Sequence, residues 1–390
     1  MEALRTAGVV TGTELMNATG LSRPTVHAAC DHLIALGWVS ECESRRSSAG
    51  SRPGRPARRY ELNARAGYAI GVDMGAATAR SVVSDLRGDV VGEASTAYRD
   101  LHVPADERIS IVKKSIAAAL LDAGVNGSAV LAVGLGVAGP VDNDGHVVAA
   151  EEYLPGLARK DLRVAIGKGR GWPVLIENDA NLAVLGERWR GAAVGIENVV
   201  LLLAGERLGA GIYLGGNLIR GGSGGAGELR PLQLVEGVGD TYGIGELARR
   251  LGAEMVTGHR TGKPGQRSLG LDGVDPKLLT AQVVFDAVRA GDPVAARLLD
   301  EIMDRIAKVV AVVATLLDPD LVIIGGAVAG AGEQLIEPLK AKVPAYTTWR
   351  PRLATARFGD HSVMIGAVRL ALDHIESRIF ESLTTRESTA

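Results

Sequence analysis

The chain has 390 residues, 46% hydrophobic and 23% charged, with a formal net charge of −2; that length holds two or three domains, and the near-neutral balance excludes a wholly basic nucleic-acid binder, so local charge must decide. Its two cysteines, Cys30 and Cys42, exclude a disulfide framework or a four-thiolate metal site. No uncharged apolar run of about 18 residues occurs and no apolar core follows basic residues at the N-terminus, so the expectation is a cytoplasmic protein with no membrane partner.

Residues 11–41, TGTELMNATGLSRPTVHAACDHLIALGWVSE, predict helix, tight turn, helix and strand. Leu15 and Met16 anchor the first helix, and Gly20 ends it by accepting a left-handed conformation. Ser22 is the expected N-cap of the second helix, with Pro24 in the first turn, where its missing N–H is not needed. Val26, Cys30, Leu33 and Ile34 fall at i, i+4, i+7 and i+8, a stripe to be buried. The opposite face opens with Arg23, Thr25, His27 and Ala28, polar and small residues suited to a DNA major groove. An ordinary helical hairpin fits this much equally well.

The next segment weighs against that. After the strand WVSECES, RRSSAGSRPGRPARRYELN (45–63) carries six arginines before a single glutamate, with Gly, Ser and Pro keeping it extended. A solvated linker has such a composition. A wing over the phosphate backbone fits better, because arginines on a flexible arm neutralise phosphates and reach into a minor groove. The DNA contacts expected are Ser22, Arg23, Thr25, His27, Arg52 and Arg55.

From Tyr68 onward, apolar strands alternate with helical stretches. YAIGVDMG and SVVSDLRGDVVGEAST read as strand, hairpin and further strand, followed by the amphipathic helix ADERISIVKKSIAAALLDAG and the buried strands AVLAVGLGVAGPV and WPVLIEND. NVVLLLAGERLGAGIYLGG repeats the hairpin pattern of residues 68–94, which implies two similarly built halves whose hairpin turns face one cleft. A long helix then feeds the strand LVIIGG, and SVMIGAVRLALDHIES closes the chain as a helix. The class is α/β, with a mostly parallel core sheet and helices on both faces. GLGVAG (134–139) and GSGGAG (222–227) match a dinucleotide fingerprint, but neither has the strand–turn–helix setting that brings a helix N-terminus to a pyrophosphate.

GRPARRYELNARAGYAIGVDMG, GLGVAGPVDNDGHV, IENDANLAVLGE, GAGIYLGGNLIRGGSGGAGE and LVIIGGAVA, in this order over roughly residues 52–330, resemble the ROK family of repressors and sugar kinases. The resemblance implies a winged helix-turn-helix at 1–63 and a two-lobed actin-like ATPase (ribonuclease H-like) sugar-kinase fold. The lobes are expected at 64–180 and 181–390, with the C-terminal helix packing back on the first. In the family's kinases the END carboxylate is the general base, so Asp179 would be catalytic if this chain were a kinase. Asn178 and Glu228 would hold sugar hydroxyls, Gly139 would lie along the sugar, and VIIGGAVA would border an adenosine. A carboxylate that accepts and an amide that both donates and accepts suit a polyol. Asn178 and Asp179 equally suit capping of the helix that follows, and a joint role is the reading favoured.

Three departures bear on phosphate chemistry. The family's first phosphate turn reads aspartate, any residue, two glycines, threonine and a basic residue. Here Asp73, Met74, Gly75, Ala76, Ala77 and Thr78 lack one glycine, the hydroxyl and the cation. The second turn carries Gly205, Glu206 and Arg207 in place of Gly-Thr-Gly. A carboxylate about 4 Å from a phosphate is repelled by roughly 1 kcal/mol in water and about 4 at an intermediate dielectric, with Arg207 as the candidate to offset it. The family zinc motif is missing: Arg230 and Pro231 replace a glycine–histidine pair, and no cysteine or histidine lies between 222 and 257. The expectations are no zinc and no ATP turnover. The partners expected are operator DNA, a sugar or sugar-derivative effector, and further copies in a homodimer or higher homo-oligomer. Two alternatives remain: an active sugar kinase with an attached DNA-binding module, and a DNA-binding dimer whose body is only a scaffold.

Overall fold

The computed structural model describes residues 1–42, 57–100, 102–148, 154–256, 271, 274–275 and 278–387. The head comprises α1 (Glu2–Thr6), β1 (Val9–Thr11), α2 (Gly12–Thr19), α3 (Arg23–Ala35), β2 (Val39–Cys42) and β3 (Arg59–Leu62). Hydroxyl caps start α2 and α3. Thr11 accepts from Glu14 N while the Glu14 carboxylate reaches back to Thr11 N at 2.6 Å, a reciprocal capping box. Gly20 closes α2 at φ 69°, and Ser22 caps α3 by accepting from Thr25 N, with Pro24 in the first turn. Of the predicted stripe, Val26, Cys30 and Leu33 are buried and Ile34 is half-buried.

The end of the arginine-rich segment is not a solvated arm. Its last residues form β3, the central strand of an antiparallel sheet ordered β1-β3-β2, and Tyr60 is 0% exposed. The chain then enters the body within a few residues.

The first lobe holds β4 (Tyr68–Met74), β5 (Thr78–Asp85), β6 (Val90–Ala97), α4 (Ala105–Asp122), β7 (Val130–Val137), α5 (Leu162–Gly167) and β8 (Val174–Asn178), leading into α6 (Asp179–Arg190). The second holds β9 (Val199–Ala204), β10 (Leu208–Leu214), β11 (Asn217–Leu218), α7 (Ile244–Val256), α8 (Ala281–Arg289), α9 (Pro293–Leu317), β12 (Leu321–Gly325), α10 (Glu333–Lys342) and β13 (Arg352–Thr355), before α11 (Ser362–Glu387). The sheets run β6-β5-β4-β7-β8 and β11-β10-β9-β12-β13, the same pattern twice. In each, a hairpin supplies antiparallel pairs and crossovers supply parallel ones. The sheets are therefore mixed, not mostly parallel, because a three-residue turn can join only antiparallel neighbours.

Glycines let the two long helices between the sheets touch backbone to backbone. A Cβ on Gly366 of α11 would lie 1.8 Å from Leu182 O of α6, and one on Gly186 would lie 2.6 Å from Ser362 O. On its other face α11 meets β4 and β7, where a Cβ on Gly71 or Gly134 would strike Met364 O or Ala367 O. α6 sits against β10, since a Cβ on Gly211 would reach Ala180 O. The chain crosses between the lobes at Asn178–Asp179 and again around 356–362. The buried Glu187 of α6 holds the second crossing, accepting from Arg357 N, Phe358 N and Ser362 Oγ at 3.1, 3.0 and 2.8 Å.

Candidate functional site

Between the lobes lies a cleft of about 470 Å³ that gathers Asp73, Gly75, Gly139, Asn178, Asp179, Gly205 and Glu228. All of the residues singled out from the sequence for the body therefore meet in one place. Both hairpin turns, 75–77 and 205–207, face into it, as do Gly326, Gly359 and Asp360.

Asn178 ends β8 and caps α6. Its Oδ1 accepts from Asn181 N at 3.1 Å and its Nδ2 donates to Gly139 O at 2.9 Å, so the cap also fixes the glycine turn. Behind it, Glu177 is 3% exposed and accepts from Asn178 N and Asn181 Nδ2 through Oε1. Its Oε2 takes Arg220 Nε, from the opposite lobe, at 2.5 Å. Nothing in the local pattern marked Glu177 or Arg220, since their partnership spans 43 residues.

Three carboxyls converge here, and their electrostatics follow from burial. Asp179 is pushed up to about 8, chiefly by desolvation, then by Asp73 and Glu228, against the Ala180 N–H that it accepts. Asp73, at the end of β4, is pushed up to about 7 by burial, with Arg80 opposing and Asp360 adding to the shift. Burial raises Glu228 too, and Arg207 pulls it back. Near neutral pH the pair can both accept and donate hydrogen bonds, which suits hydroxyl recognition.

The phosphate-side turns are built differently from expectation. Arg108, buried on α4 with its guanidinium 4.1 Å over the Tyr98 ring, donates to Gly75 O at 2.7 Å and Ala76 O at 3.3 Å. In the second turn, Glu206 is met not by Arg207 but by Arg249 of α7, in a two-pronged pair with both contacts at 2.8 Å. Arg249 also pairs with Glu246. The repulsion expected of Glu206 is thus offset from a helix the sequence did not connect to the turn. The segment where a zinc motif would sit is held by other means. Leu229, Val238 and Ile244 are buried, Leu208 N donates to Thr241 O, and Gly243 N donates to Glu206 O.

On the head, Ser22, Arg23 and Thr25 are exposed at the start of α3. His27 is half-buried, its Nδ1 2.7 Å from Tyr60 Oη, so one edge of the ring is engaged by the sheet. Arg52 and Arg55 lie outside the described residues. Arg58, one of the six arginines, pairs with Asp31 of α3 at 2.6 Å and Glu41 of β2 at 2.8 Å, and stacks 5.3 Å over Tyr60. It ties α3 to β2.

Residues 69–374 match the family described as the ROK family. The chain belongs to the ROK family. Residues 1–41 match the IclR helix-turn-helix domain. A glucokinase of Halalkalibacterium halodurans is 30% identical over 304 residues, covering 73% of this chain and 87% of its own. A xylose repressor of Caldicellulosiruptor bescii is 24% identical over 385 residues, covering 95% and 93%. Among solved structures, a ROK family transcriptional regulator described as a homolog of E. coli MLC protein superposes with a TM-score of 0.73. It is 22% identical over 93% of this chain and 92% of its own, a likeness of fold. The alignment with this xylose repressor extends over nearly the whole chain, that with this glucokinase over about three quarters.

Proposed function

We propose that this ROK protein is a DNA-binding transcriptional regulator, a repressor, whose interlobe cleft takes a sugar or related polyol and does not transfer phosphate. The observation that carries the reading is one chain uniting a winged head with a cleft where Asn178, Asp179 and Glu228 converge. The xylose repressor relative aligns along both parts. Ser22, Arg23 and Thr25 would enter the major groove, with Arg52 and Arg55 on the phosphates. A homodimer or higher oligomer would place two heads on a palindromic, cytoplasmic operator; no described helix is long and apolar enough to cross a membrane.

The phosphate side supports a non-catalytic cleft. Ala76 and Ala77 offer neither hydroxyl nor cation, and Glu206 puts a carboxylate, already committed to Arg249, in the second turn. Phosphoryl transfer depends on positioning and charge neutralisation around the phosphates. Titrating the protein against a duplex from its own upstream region, with D-xylose, D-glucose and other sugars present, tests the reading. Failure to bind that duplex even at low salt would refute it.

A second reading, a sugar kinase with an attached DNA-binding module, is favoured by Asp179. Its carboxyl sits in the cleft with a titration near neutral pH, where a general base works best, and the glucokinase relative is 30% identical. Sugar-dependent ADP release that disappears in Asp179→Asn would establish it.

A further inference from the structure

The start of α3 carries a chain of contacts that begins inside the head's sheet. Tyr60 of β3, 0% exposed, sets its Oη 2.7 Å from His27 Nδ1, 33 residues earlier in the chain. The His27 ring is confined on a second side by α2, where a Cβ on Gly12 would lie 3.2 Å from His27 Cε1. One turn before His27, Arg23 Nε donates to His27 Nε2 at 3.5 Å. A guanidinium only donates, so Nε2 accepts, and the ring proton sits on Nδ1 and is donated to Tyr60 Oη. The tautomer of His27 is thereby set from both ends.

The neighbours of this chain are committed elsewhere. Ser22 and Thr25 hold each other through their hydroxyls at 2.8 Å, and Ser22 Oγ also accepts from Thr25 N. Arg58 stacks 5.3 Å over the Tyr60 ring and gives its charge to Asp31 and Glu41. Arg23 is exposed, and among the described residues no carboxylate pairs with it. Its bond to His27 engages Nε alone, which leaves the two terminal nitrogens as a fork.

A two-nitrogen fork on a long cation in the first turn of a helix that enters a major groove matches the O6 and N7 acceptors of guanine. Such a side chain has many rotamers to lose on docking, and a bond that restricts it beforehand reduces that loss.

We propose that Arg23 reads a guanine in each operator half-site, and that His27, fixed by Tyr60 and Gly12, is a positioning residue that aims Arg23 and does not itself touch DNA. The proposal rests on the DNA-binding reading above and names the residue and the base through which that reading becomes specific. A buried phenol of the sheet then acts on base choice without reaching the duplex.

Enrichment of duplexes from a random pool by the full-length protein tests this, followed by affinity measurements on the enriched site and its single-base variants. The wild type should enrich a site with a guanine in each half. Arg23→Gln should lose the preference for that guanine by roughly 5- to 150-fold, the scale of a bidentate contact, and leave the other positions as they were. His27→Ala and Tyr60→Phe should each lower the same preference by about 2- to 12-fold, the scale of one orienting hydrogen bond. Neither should change that position further in an Arg23→Gln background, because the two effects share one path. His27→Gln, whose amide oxygen can stand where Nε2 stands, should restore most of the preference. A His27 that only supports the fold would lower affinity for every sequence together, with Arg23 present or absent, and that result overturns the positioning role. Should His27→Ala fold poorly, Tyr60→Phe, which keeps the buried ring, carries the same test. A wild type that binds a defined site at which Arg23→Gln weakens every base alike overturns the guanine contact. A wild type that binds no duplex removes the DNA-binding reading itself, and this proposal with it.

Discussion

Substituting Gly366→Ala tests the crossing of α6 and α11, on which the placement of Asn178 and Asp179 depends. The added Cβ would lie 1.8 Å from Leu182 O, 2.5 Å from Leu182 C and 2.9 Å from Leu182 Cα. Ordinary contact begins near 3.4 Å, so the helix axes must separate by roughly 1.6 Å or the core around Leu182 must distort. The obstacle is backbone, which cannot rotate away as a side chain would. Overpacking of this kind costs about 1–3 kcal/mol, and Ala's slightly better helix propensity returns less than about 1. The net cost of up to about 2 kcal/mol corresponds, at about 2–4 °C per kcal/mol for a unit of this size, to a fall in melting temperature of up to roughly 8 °C. Because α6 begins at the cleft, sugar affinity should fall as well. Thermal denaturation by circular dichroism with and without sugar reads both effects. Gly330→Ala is the control, since nothing lies within 4 Å of a Cβ there, and it should leave both unchanged. A Gly366→Ala variant that melts with the wild type and binds sugar equally well would refute the close-packed crossing.

Further outcomes follow from charge. Asp179 and Asp73 titrate near 8 and 7 when folded against about 3.9 unfolded. The folded state therefore holds more protons between about pH 4 and 8, and stability should decline as pH rises through that window. Asp179→Asn should flatten the decline and raise the melting temperature at pH 8; an unchanged profile by calorimetry contradicts the assignment. Arg58→Gln removes the tie between α3 and β2. It should weaken operator affinity without altering the salt slope, because this arginine is committed to carboxylates. Arg52→Gln and Arg55→Gln should weaken binding to all sequences and each lower the slope by about one. Thr25→Ala should instead alter sequence preference, and identical salt titrations for all four variants would undo this division. Arg249→Met leaves the Glu206 carboxylate without its two-pronged partner. It should destabilise the protein by up to about 1 kcal/mol in denaturant titration, because the partly exposed carboxylate regains water.

Local signals in the sequence were read well because local physics produces them. Ser22, Gly20 and the Val26–Cys30–Leu33 stripe act through neighbours within a turn or two, and each does what its spacing demanded. The doubled hairpin was legible for the same reason, since each half carries its own alternation of apolar runs and turns. What escaped was contact between distant segments. Tyr60, at the end of an arginine-rich stretch that reads as a flexible wing over phosphates, is drawn into the sheet by burial of its ring and by His27. Glu206 read as a repulsive charge because Arg249 is 43 positions away. Glu187 closes the motif IENDANLAVLGE without any role read for it, although its carboxylate collects donors some 170 residues downstream. Arg108, in an amphipathic helix, reads as a surface cation and proves to be a fully buried brace beneath Gly75 and Ala76.

The two places where the chain passes from one half to the other, Asn178–Asp179 and the stretch holding Gly359 and Asp360, are themselves walls of the cleft. Under the proposed function, sensor and axle would be the same atoms. A molecule that shifts these residues slightly needs no relay through the interior, because it turns the pivot directly. Residues far from that pivot ride a longer arm: over the roughly 15 Å spanned by ten residues of helix, a rotation of about 10° carries a point some 2–3 Å. If the proposed effector binds there, a small solute would set the posture of a much larger machine, graded by how it leans on the pivot more than by how tightly it is held.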